Sequence, residues 1–100
     1  MAMKTDALND FPSEQFHAFS MTKMAKFLPY TGDTTIAQLK DFFGEDFNRA
    51  VQFRADQLII YDRRNAIPVE TNKIIVRFAN GHYKVIDSDY YHRNFNEPLV

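Results

Sequence analysis

Three groups of residues in this chain have side chains suited to chemistry or recognition. The first is Asp87, Asp89 and His92, spaced Asp-x-Asp-x-x-His. Their oxygen and nitrogen donors match a hard or borderline metal ion. Asp-Ser-Asp directly after an apolar run is also ordinary turn chemistry, in which side-chain oxygens bond nearby backbone N–H groups. The turn reading is the simpler one, so no metal and no cofactor is expected. His17, His82 and His92 are scattered, only His92 is read as having carboxylates close by, and cysteine is absent. Thiolate metal sites and thiol nucleophiles are therefore excluded. No Ser-His-Asp order, metalloprotease helix or glycine-rich phosphate loop is present. The expectation is a non-enzymatic protein, with a small hydrolase or metal-binding protein as a distant alternative.

The second group lies at the C-terminal end. Asn80-Gly81 separates the apolar runs Ile74-Ile75-Val76-Arg77-Phe78 and Tyr83-Lys84-Val85-Ile86. Asn-Gly in that setting signals a hairpin with a type I′ turn, because both central residues tolerate positive φ. That turn predicts Phe78 opposite Tyr83, Val76 opposite Val85, and Arg77 opposite Lys84. Like charges facing each other are destabilising on their own, and a carboxylate-bearing partner would satisfy them. Tyr90-Tyr91-His92-Arg93-Asn94-Phe95 follows, rich in the aromatic and arginine residues that interfaces favour. Arg77, His82, Lys84, Tyr91 and Arg93 are thus the candidate partner-binding residues of a regulatory or inhibitory protein. The partner is a different protein or a second copy of this chain.

The third group is Asn48, Arg49 and Gln52, polar positions of an expected helix over residues 45–55. Such side chains can read base edges in a major groove, with Arg77 and Lys84 on a wing near the phosphates. This DNA-binding reading is the alternative. Two acids, Glu45 and Asp46, at the helix start and a net charge of −1 weigh against it. The charge is unevenly spread. Residues 1–48 carry four Lys and seven Asp or Glu, whereas residues 49–93 carry eight Lys or Arg and five Asp or Glu.

The elements expected to position these groups form an α+β domain. Residues 1–12 read as a flexible tail and residues 13–100 as a single compact domain. Ser13 caps a predicted helix over 13–28, broken at Pro29. A short second helix carries Ile36, Leu39, Phe42 and Phe43 and ends at Gly44, a residue suited to positive φ. The third helix follows at once. Residues 58–61 read as a strand, and Pro68 demotes residues 66–70 to an edge. Three N-terminal helices, then a small antiparallel sheet with a C-terminal hairpin, is the element order of a winged helix. The core is expected to hold Phe16, Phe27, Ile36, Leu39, Phe43, Phe47, Val51, Leu58, Ile60, Val76, Phe78 and Val85. The N-terminus shows no signal-peptide pattern, and no apolar run is long enough for a membrane span. With no cysteine, a cytoplasmic location is the default expectation.

Overall fold

The computed structural model describes residues 11–20 and 23–94. Strands dominate it. β1 (Phe16–Ser20), β2 (Lys23–Tyr30), β6 (Lys73–Phe78) and β7 (Tyr83–Ile86) form one antiparallel sheet in the order β1-β2-β6-β7. β3 (Val51–Arg54), β4 (Gln57–Asp62) and β5 (Asn65–Val69) form a second, in the order β3-β4-β5. Between β2 and β3 runs a helical stretch: α1 (Ile36–Phe43), a 3-10 turn (Gly44–Asp46) and the single turn α2 (Phe47–Ala50). A short α3 (Ser88–Asn94) follows β7.

The four-stranded sheet is covered on both faces. Leu28, Ile75 and Tyr83 pack with Leu39, Phe42 and Phe43 of α1 and with Leu58, Ile60 and Val69 of the second sheet. From the opposite face, Ala25, Phe27, Ile74, Val76 and Ile86 pack against Tyr91 of α3. Phe11, Phe16 and Phe27 surround the Tyr91 ring edge-on, at centroid distances of 5.1, 5.8 and 5.2 Å. Edge-to-face contact is a favoured arrangement of aromatic quadrupoles.

The winged-helix order is overturned. The segment expected to be the first helix is the β1–β2 hairpin. β2 is sandwiched between two cores, so Ala25, Phe27, Leu28 and Pro29 are all buried. A strand apolar on both faces loses its two-residue period and cannot be told from a helix by pattern. Pro29 fits there because β1 pairs only as far as Phe27, leaving no neighbour on that side to bond. The third helix ends after one turn. Val51-Gln52-Phe53-Arg54 instead pairs with Gln57-to-Ile60 through a two-residue turn in which Ala55 (φ 49°) and Asp56 (φ 70°) are both left-handed. Ala-Asp has no glycine, so the usual hairpin mark is missing.

Other expectations match. Gly44 ends α1 with φ 61° and ψ −133°, a conformation open to glycine and poor for other residues. Thr35 is the N-cap of α1, and Gln38 completes a capping box with it. β4 is the central strand of its sheet, and Pro68 lies on edge strand β5. Asp87 caps α3 by accepting the Tyr90 N–H at 2.8 Å. Of the expected core, Phe27, Leu39, Phe43, Leu58, Ile60 and Val76 are buried; Phe16, Phe47, Val51, Phe78 and Val85 are half-buried. Ile36 is 49% exposed. The expected tail lies mostly outside the described residues, as does Phe95.

The C-terminal hairpin exists, but one residue out of the expected register. Gly81 N–H donates to the Phe78 carbonyl and Phe78 N–H to the His82 carbonyl, each at 2.9 Å. Gly81 has φ 89°, whereas Asn80 is not left-handed. This is a three-residue loop, a type I turn closed by a glycine bulge. It places Arg77 opposite Tyr83 and Val76 opposite Lys84.

Candidate functional site

The one-residue shift sends Arg77 and Lys84 to opposite faces of the sheet, because side chains alternate along a strand. Arg77 lies on the α1 side. Its Nη1 donates to the Phe42 carbonyl at 2.9 Å and its Nη2 is 3.7 Å from Asp46 Oδ2. Asp46 also accepts from Arg49 and, at 3.2 Å, from the Tyr83 hydroxyl. Chiefly through the Arg49 hydrogen bond, Asp46 is held below the usual carboxylate range, with Tyr83 and the charges of Arg49 and Arg77 adding to the effect and partial burial opposing it. Burial pushes Tyr83 up to about 12, and Asp46 adds to that rise while Arg77 opposes it. Asp46, Arg77 and Tyr83 therefore tie the helical stretch to the sheet.

His82 is also engaged. Its Nδ1 lies 3.1 Å from Asp62 Oδ2, which takes the Tyr83 N–H at 3.3 Å as well. Asp62 ends β4, so this carboxylate joins the hairpin of one sheet to a strand of the other. Tyr91 is 1% exposed and belongs to the core.

Lys84 and Arg93 are brought together. With Lys73, Asp87 and Tyr90 they line an open groove of about 360 Å³ between β7 and α3. Lys84 Nζ donates to the Tyr90 hydroxyl at 2.6 Å and stands 4.3 Å from the centre of its ring. Among the described residues, no carboxylate forms an ion pair with Lys73, Lys84 or Arg93. Asp87, the one acid among the described residues of the groove lining, has an oxygen turned to the α3 backbone. Lys73 was not legible as a site residue, because only the fold of the chain past β7 brings it beside Arg93.

The DNA-reading set is dispersed. Asn48 and Arg49 lie on the single turn α2, and Arg49 is paired with Asp46. Gln52 is on strand β3, where it accepts from the Tyr61 hydroxyl at 2.7 Å. No recognition helix joins them to Arg77 and Lys84. The Asp87, Asp89 and His92 trio is split between the α3 cap and an aromatic contact of His92 with Phe11 and Tyr91. Among the described residues, no group of three or more His, Asp or Glu is placed to hold a metal ion, and no helix is long and apolar enough to cross a membrane.

No protein-family model, curated protein or solved structure matches this chain.

Proposed function

We propose that this chain is a non-enzymatic regulatory or inhibitory module that binds an acidic segment of a protein partner in the groove between β7 and α3. The observation that carries this reading is the charge imbalance of that groove. Lys73, Lys84 and Arg93 line it, and the one carboxylate among its described lining residues, Asp87, caps a helix. Cations without internal counter-ions steer an acidic partner and fix its register. Tyr90 adds an amphipathic ring beside the cations, a contact type that interfaces favour. The hairpin and the C-terminal segment both contribute to this surface, through Lys84 and through Tyr90 and Arg93. Arg77, His82 and Tyr91 support it from within the fold.

The test is capture of a partner from the native host by the full chain, then titration of the purified partner. Lys84→Glu combined with Arg93→Glu should weaken binding at least tenfold, about 1.4 kcal/mol. The wild-type affinity should fall as salt rises. An affinity unchanged by the double reversal removes this groove from the interface.

A further inference from the structure

A second basic site lies on the other face of the same sheet. His17 on β1 is directly opposite Lys26 on β2, and Lys26 is directly opposite Arg77 on β6. Facing residues of neighbouring strands have their Cβ atoms only about 5 Å apart. The register therefore draws three basic side chains into one line across three strands. Such a row is unfavourable unless something negative lies beside it. Asp46 serves only the Arg77 end, at 3.7 Å. Lys26 and His17 have no ion pair with any described carboxylate. The Lys26 ammonium stands 5.7 Å from the centre of the Phe42 ring, a weak substitute for a counter-ion.

Beside the row is an open cleft of about 430 Å³. Its basic wall is His17, Lys26 and Arg77; its other wall is Phe78, Ala79 and Gly81. Among the described residues, none that lines it is acidic. Its volume is within the range of small-molecule sites. The guanidinium fork and the ammonium suit a tetrahedral oxyanion, and a dianion would offset more of the row's repulsion than a monoanion.

We propose that this cleft binds a dianionic phosphoryl group, held by Lys26 and by the Arg77 N–H groups that do not meet Phe42 and Asp46, with the His17 ring as a further hydrogen-bonding group. The group is either free phosphate or the phosphate of a small monoester. In a monoester, the apolar body rests beside Ala79 and Gly81. This site is separate from the β7–α3 groove and does not depend on the partner-binding reading.

The experiment is a titration of the full chain at low ionic strength, followed by backbone amide shifts in two-dimensional NMR. The probes are inorganic phosphate, phenyl phosphate and benzoate. Both phosphates should give saturable shifts at Lys26, Arg77 and Gly81, and benzoate should bind at least tenfold more weakly. Tighter binding of phenyl phosphate supports the site and assigns it to a monoester; equal affinity supports it and assigns it to the free anion. Lys26→Met, which keeps the length of the side chain, should weaken phosphate at least tenfold. His17→Gln, on the exposed edge strand, should also weaken it and provides a second variant if Lys26→Met does not fold. Arg64→Gln removes a charge at a hairpin tip of the other sheet and should leave the affinity unchanged. Absence of saturable shifts, or equal losses in Lys26→Met and Arg64→Gln, overturns the proposal.

Discussion

Arg77 and Lys84 are basic residues of one hairpin, yet the fold gives them opposite employment. Arg77 is turned toward α1, where its guanidinium meets the Phe42 carbonyl and Asp46. Lys84, on the other face, meets a tyrosine hydroxyl and no described carboxylate. A similar split divides two neighbours on α3. Tyr91 is buried among phenylalanines, while Arg93 is exposed beside Lys84. A cation near the surface says little about function until its counter-ion is known. One matched by a carboxylate and a carbonyl helps hold the fold together and offers a ligand only its remaining N–H groups; one left unmatched offers its whole charge.

The contrast can be broken by five substitutions. Tyr91→Ala should have the largest effect, a loss of about 3–5 kcal/mol in urea unfolding, because it empties the centre of the α3-side core. A loss under half of that would return Tyr91 to the surface and to the partner-binding set.

Arg77→Glu should cost about 2 kcal/mol or more. It removes the bond to Phe42 and sets a second carboxylate beside Asp46. If the variant is as stable as wild type, the division between the two faces fails.

Asp46→Asn should cost about 1–2 kcal/mol near neutral pH, since the three partners of Asp46 keep only weaker contacts and the site is partly solvated. Its pH signature is sharper. The folded Asp46 lies below the ordinary carboxylate value, so its contribution is complete above that value and is lost as pH falls through the folded one. Thermal unfolding of wild type should therefore weaken in acid more steeply than that of Asp46→Asn; parallel curves would contradict this. Tyr83 is raised to about 12, so its contribution is present below the ordinary tyrosine value of about 10 and is lost as pH rises through 12. Burial raises Tyr30 as well, so an alkaline ultraviolet titration should show a late tyrosine step that Tyr83→Phe diminishes.

Lys84→Glu should have the smallest effect on the fold, within about 0.5 kcal/mol, as expected for an exposed side chain. A cost above 1.5 kcal/mol would make its contact with Tyr90 structural and weaken its assignment to a binding groove.

Local features were legible where the cause is local. The α1 stripe of Leu39, Phe42 and Phe43, the Gly44 stop, the β4 strand, the edge position of Pro68 and the Asn-Gly loop all follow from neighbours in sequence. The hairpin turn type did not, because Asn80-Gly81 fits both a two-residue I′ loop and the last two positions of a three-residue loop. The choice rests on which residues the sheet must bury. With Arg77 opposite Tyr83, Val76 joins Phe27 and Ile86 against α3, and Ile75 joins Leu28 against α1. The N-terminal hairpin was illegible for a related reason: a strand covered on both sides has no period to betray it.

By itself, the sequence determined a small cysteine-free chain with an aromatic core, a capped central helix and a C-terminal hairpin, with basic charge gathered toward its second half. Tertiary structure alone decided which basic residues meet. Lys26 faces Arg77 across 51 positions of sequence, and Lys73 shares a groove lining with Arg93 only through the way the chain turns from β7 into α3. Strand order and register set those meetings, and both follow from burying apolar area on two faces of one sheet. That is a property of the whole chain, which no window of neighbouring residues contains.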